Sequence, residues 1–73
     1  MMNEATLKFI ISRIIDNAND SLKEAETNKD NAFNQGHRLA YYEVLDTIKN
    51  ELEVNDQDLK EFGLDIDLDK IFL

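Results

Sequence analysis

The sequence predicts an all-α protein: an antiparallel helical hairpin with a short C-terminal helical capping segment, dimerising into a four-helix bundle. Three observations carry that prediction. Apolar side chains recur at steps of three and four over residues 3–28 and again over 31–53, the spacing of one helical face. The polar stretch "ETNKDN", residues 26–31, divides the two patterns. Finally, 73 residues with no cysteine and one histidine offer neither a disulfide nor a zinc site as a brace, and so short a chain buries too little of its surface to be comfortably stable alone. Self-association is the brace that remains.

The first helix, residues 3–28, contains no glycine or proline and repeats Leu7, Ile11, Ile14, Ala18, Ser21 or Leu22, and Ala25. Asn3 is placed to cap it, and Glu4 suits the positive end of the helix dipole. In the following turn Asn28, Asp30 and Asn31 hydrogen-bond readily to their local backbone. The turn holds no glycine, which leaves one continuous helix as the alternative. Asp30 or Asn31 then caps a second helix over 31–53, with apolar positions Phe33, His37, Ala40, Val44, Ile48 and Leu52.

Beyond it, Asn55 or Asp56 is expected to cap a short helix over 56–62, with Leu59 and Phe62 inward and Gly63 closing it in the left-handed conformation glycine allows. Asp65, Asp67 and Asp69 alternate with Ile66 and Leu68 as in a strand, but a lone strand has no partner. A final helical turn over 66–72 is preferred, because it gathers Leu68, Ile71 and Phe72 on one side. The whole of 1–73 forms a single domain.

A turn near Lys29 opposes Ala25 to Phe33, Ser21 to His37, Ala18 to Ala40 and Ile14 to Val44, with the two alanines permitting close approach. The tail leaves helix two beside the start of helix one. It is expected to cover Phe9, Ile10, Leu45 and Leu52 and not to reach the turn end. Leu22, Phe33, Leu39, Tyr41 and Tyr42 would then form an exposed apolar patch. A homodimer through Phe33, Gly36, Leu39, Ala40 and Tyr42 covers it, the rival being another protein. Gly36 costs up to about 1 kcal/mol in a helix interior, so close approach of a partner helix is its expected reason, unless helix two begins after it. Tyr42 is the interface anchor and Tyr41 packs in the seam.

Sixteen acidic side chains stand against eight basic ones, a formal charge of −8. That field repels phosphate backbones, and Lys23, Lys29, Arg38, Lys49 and Lys60 are scattered singly among acids, so no nucleic-acid partner is expected. A basic protein partner is compatible with the charge. No apolar run approaches the roughly 18 residues that span a bilayer, and "MMNEATLKFIISRIIDNA" is interrupted by Arg13 and lacks a basic leader. No membrane partner and a cytoplasmic location follow as expectations.

Candidate chemistry centres on His37, with Tyr41 four residues on and Ser21 opposite. Imidazole titrates near neutrality and could serve as a base in a small pocket. The competing reading has the ring packed, with one nitrogen bonded to Ser21, Tyr41 or a backbone carbonyl. Nucleophile, orienting carboxylate and oxyanion pocket are not assembled by anything in the sequence, so the protein is expected not to be an enzyme. "EVLD", Glu43–Asp46, matches a fragment of magnesium-binding helical pyrophosphohydrolases, but Asp16 and Asp20 on helix one project away from the seam. "DIDLD", Asp65–Asp69, resembles the start of a calcium loop, yet Lys70 stands where that loop requires glycine. No metal and no cofactor are expected.

The run "FNQGHRLAYYEVLDTIKNEL" followed by "DLKEFGLDIDLDK", from Phe33 to Lys70, resembles a group of short, acidic, uncharacterised helical proteins of Gram-positive bacteria. The likeness is a pattern of packing residues. It implies a small intracellular helical protein and names neither reaction nor ligand. The functional expectation is a small non-enzymatic helical interaction or oligomerisation protein. One alternative is an acidic regulator, antitoxin or immunity-type protein that binds a basic partner. Another is a ligand-binding or enzyme subunit whose pocket, lined by His37 and Tyr41, forms only in the oligomer.

Overall fold

The computed structural model describes residues 3–73, and among them all regular structure is helical, without strands. Helix α1 runs Glu4–Thr27 and α2 runs Ala32–Val54; a single 3-10 turn follows at Leu59–Phe62, and α3 closes the chain at Leu68–Phe72. The two long helices pack against each other as the expected hairpin. Asn3 accepts from the Thr6 N–H at 2.8 Å, and Asn31 from the Asn34 N–H at 3.1 Å. These asparagines satisfy orphan donors at the two helix starts. The turn between them needs no glycine, because Asn28 ends α1 at φ −124°. Its N–H donates to Glu24 O at 2.9 Å, and its carbonyl accepts from Asn31 at 3.0 Å. One continuous helix is thereby excluded.

The short helix expected over 56–62 begins later, and the reason is how α2 ends. Asp56 is left-handed at φ 56°. Its N–H donates to Glu53 O at 3.1 Å and the Gln57 N–H to Leu52 O at 2.9 Å, the paired bonds of a Schellman motif. Asn55 and Asp56 therefore terminate α2 and start nothing. Asp58 is the next cap, accepting from Lys60 at 3.0 Å. Gly63, at φ 74°, closes the 3-10 turn as expected. At the C-terminal end Asp67 accepts from the Lys70 N–H at 3.1 Å, so the helical reading of the tail holds, from Leu68.

The tail takes a different path from the one the sequence suggested. The 3-10 turn packs on both α1 and α2, and α3 lies along α2. Ile15 Cδ1 stands 3.6 Å from the position of a Cβ on Gly63. Lys49 donates to Ile66 O at 2.6 Å, and Lys8 reaches both Glu61, at 3.4 Å, and the Phe62 ring, at 5.5 Å. The chain thus runs back along one side of the hairpin to its turn end, where Phe72 is buried and Leu73 borders the same depression as Lys29 and Gln35. Phe9 and Ile10 stay 65% and 38% exposed. Phe9 lies half a helical turn from Ala18, the centre of α1's inner face, where a strap on the Ile15 side does not reach.

This path also sets the rotation of α2. Ala40 and Val44 are exposed, while Ala18, expected to face Ala40, is completely buried. The inward positions are Leu45, completely buried, and Leu52, with Tyr41, Tyr42 and Ile48 packed against the core. The seam is offset from the expected one by about one residue, or about 100° around the helix. Leu45 is inward because the tail residues Leu64, Leu68 and Phe72 join Ile11 and Ala18 in one core. Leu22, Tyr41 and Tyr42, expected to be under-covered, belong to its margin.

Candidate interaction surface

A hairpin has two grooves between its helices, and here they differ. The tail fills the groove flanked by Ile15 and Leu22 of α1 and Tyr42 and Lys49 of α2. The opposite groove is open, about 720 Å³, its apolar lining made by Leu7, Ile10, Ile11 and Ile14 of α1, Ile48 and Leu52 of α2, and Phe62 of the 3-10 turn at its end. Glu4 and Glu51 stand at its rim, and no lysine or arginine lines it. Leu7, Ile10 and Val44 are each close to two-fifths exposed.

Toward the turn the open side continues along α2. Phe33, His37 and Tyr41 repeat every four residues and their rings form a ladder, with centroids 5.5 Å and 5.1 Å apart. Phe33, at its end, is 75% exposed. The stripe that the sequence assigned to the seam, Phe33, His37, Ala40, Val44 and Ile48, is thus real but borders the open side. At 100° per residue Gly36 lies on the same flank as Ala40. A Cβ added to Gly36 would meet nothing within 4 Å, so no contact inside the chain requires a glycine there.

Three of the five residues assigned to an interface, Phe33, Gly36 and Ala40, therefore lie together and exposed. Leu39 is 42% exposed but is turned about 100° from Ala40. Tyr42 is elsewhere. It lies on the tail side, half-buried, and its hydroxyl donates to Asp69 at 2.5 Å. The expectation that Tyr42 reaches for something outside the chain is corrected: it latches α3 onto α2. That bond to Asp69, helped by desolvation and by the charges of Asp69, Asp46 and Asp67, pushes the phenol up to about 12.

The pocket trio is not assembled. The Ser21 hydroxyl is buried and donates to Ala18 O in its own helix at 2.9 Å. The Nδ1 of His37 is buried without a hydrogen-bond partner among the described residues, so the bond to Ser21, Tyr41 or a backbone carbonyl is absent at that nitrogen. Tyr41 contributes ring packing. Among the described residues no group of three His, Asp or Glu side chains is close enough to hold a metal ion, and no helix is long and apolar enough to cross a membrane.

Sequence reasoning missed Leu7, Ile10, Ile14, Val44 and Ile48 as the open face. Their signal was present as helical periodicity, but periodicity marks an apolar face without naming what covers it. Neither a protein-family model, nor a curated protein, nor a solved structure matches this chain.

Proposed function

We propose that this is a small non-enzymatic helical interaction protein that self-associates through the open side of its hairpin. Two copies related by a two-fold axis would lay α1 and α2 of one against those of the other and complete a four-helix bundle. The asymmetry of the hairpin supports this reading: one groove is filled by the chain's own tail, while the other keeps Leu7 and Ile10 in water, with Val44 and Phe33 exposed along the same side of α2. Covering such side chains contributes about 25 cal/mol per Å². Gly36 and Ala40 fit the same role, since small residues beside the groove let a partner helix approach. Phe33 is the anchor, Leu39 is turned away from the open groove, and Tyr42 acts within the chain. A cytoplasmic location and the absence of nucleic-acid binding belong to the reading, the latter resting on the charge of −8.

Sedimentation equilibrium over a wide concentration range tests it. The expected species has twice the 8.5 kDa chain mass, and Ile10→Glu reduces it to one chain mass without loss of helical circular dichroism. A monomer at every concentration sinks the proposal.

A second reading rests on the rim. Glu4 and Glu51 beside an apolar floor suit an amphipathic helix carrying Lys and Arg next to its apolar stripe, as an acidic regulator, antitoxin or immunity-type protein would require. A basic helical peptide that binds at low salt, is released at high salt and competes with self-association would favour this occupant over a second copy.

A further inference from the structure

We propose that the depression at the turn end of the hairpin binds a small organic carboxylate carried on a short apolar body. This site is separate from the open groove and does not depend on self-association. The depression has a volume of about 440 Å³, within the range of roughly 300–1,000 Å³ usual for small-molecule sites. Three parts of the chain build it: the turn contributes Lys29, α2 contributes Arg38, and the docked tail contributes Lys70. Three of the eight basic side chains therefore meet at one place in a chain of net charge −8.

No ion pair among the described residues uses those charges: those within 4 Å all belong to Lys8. Lys29, Arg38 and Lys70 meet no carboxylate, although Glu26 lies on the same rim. Arg38 is half-buried and positioned: its Nε donates to Gln35 Oε1 at 3.3 Å, and the Gln35 amide is anchored on Ala25 O at 2.9 Å. That relay occupies one guanidinium nitrogen. The terminal pair has no protein partner among the described residues, leaving the forked donor geometry that matches a carboxylate.

The rest of the lining is apolar. Leu22 and Phe72 form its floor, while Ile71 and Leu73 remain 39% and 67% exposed beside the cations. A bare inorganic anion would leave these side chains in water, and a neutral apolar molecule would leave the three cations unanswered. An amphiphilic carboxylate answers both. Because Lys70, Ile71 and Phe72 belong to α3, such a ligand binds only the form with the tail docked and stabilises it by mass action.

Amide chemical shifts of the full chain, titrated with octanoate, octylammonium and inorganic phosphate, test the proposal. Octanoate is expected to give saturable shifts at Leu22, Arg38 and Ile71. Arg38→Gln and Lys70→Gln each weaken it about tenfold, the effect of losing one charge-assisted hydrogen bond, and Glu26→Gln tightens it. Lys70 is exposed, so its variant keeps the test valid if the arginine variant fails to fold. Three results would overturn the site: no saturation by octanoate in the millimolar range, equal binding of octylammonium, or unchanged octanoate affinity in Lys70→Gln. Inorganic phosphate binding as tightly as octanoate at the same amides would overturn the apolar half of the proposal.

Discussion

Leu64→Ala separates a tail that is part of the core from a tail merely resting on the hairpin. Leu64 is completely buried, in one cluster with Ile11, Leu45, Leu68 and Phe72. The change removes three carbons, worth about 2.4 kcal/mol at roughly 0.8 kcal/mol per buried methylene, and the unrelaxed cavity takes the cost of such substitutions to about 2–5 kcal/mol. At about 0.05–0.15 kcal/mol per residue, a chain of 73 residues has a total stability of about 4–11 kcal/mol. One side chain of the tail thus governs a large part of it. Urea unfolding followed by helical circular dichroism, at a fixed chain concentration because a dimer's midpoint depends on it, reads the difference. Phe9→Ala is the control, since Phe9 is 65% exposed and away from both grooves; it should change stability by no more than about 0.5 kcal/mol. A Leu64→Ala loss under about 1 kcal/mol, or a Phe9→Ala loss as large as that of Leu64→Ala, would refute the packing argument, given the cavity costs known for buried leucines.

Other outcomes follow from single contacts. Gly36→Ala should raise helix stability by up to about 1 kcal/mol where the chain is dilute and monomeric, since nothing lies within 4 Å of the new methyl group, yet weaken self-association if a partner helix approaches there. Sedimentation and thermal melts at matched concentrations separate the two effects. Tyr42 carries a folded pKa of about 12 against an ordinary 10.0. Its contribution to stability should be fully present below pH 10 and fade as pH rises toward 12, where the folded state also loses the proton. Comparing alkaline unfolding of the wild type with Tyr42→Phe isolates that fall, and parallel curves would contradict it. Asp67→Ala removes the cap of α3 and should cost about 0.5–2 kcal/mol, seen as faster hydrogen exchange at Lys70 and Ile71 with α1 unaffected.

The helices were legible because local chemistry decides them. Asn3 is the cap in the sequence and in the fold, Asn31 is the one of the two candidates Asp30 and Asn31 that the fold uses, and Gly63 closes its turn in the left-handed conformation expected of it. Asp56 was not legible in the same way, because an aspartate after a helix fits either a new N-cap or a left-handed C-terminal position. The choice between them depends on where Leu52 and Glu53 already point their carbonyls. The path of the tail was illegible for a related reason. "GLDIDLDKIFL" shows alternation and apolar content, but which groove it enters depends on Ile15, Lys49 and Tyr42 being together on one side of a hairpin that must form first. Lys29 and Arg38 read as scattered for the same reason, becoming neighbours of Lys70 only once the tail has returned to the turn.

Helix α2 carries two apolar faces, and that is where the functional reading turns. Tyr42, Leu45, Lys49 and Leu52 serve α1 and the tail, while Phe33, His37, Ala40, Val44 and Ile48 lie about one residue further round; only Ile48 among these packs against the core, and Phe33, Ala40 and Val44 are exposed. A helix on the surface of a monomer needs one stripe facing its core and gains from a polar face elsewhere. Phe33, 75% exposed, has no role in the core that would account for an aromatic ring in that position. With the tail already occupying the first groove, the second stripe borders the side of the hairpin that the tail leaves open, which is why the proposed association is placed there. Substituting the second stripe while leaving the first intact, as in Phe33→Ser with Val44→Ser, should leave the monomer folded and remove the association. Loss of helical structure instead would place that stripe in the core and refute the assignment.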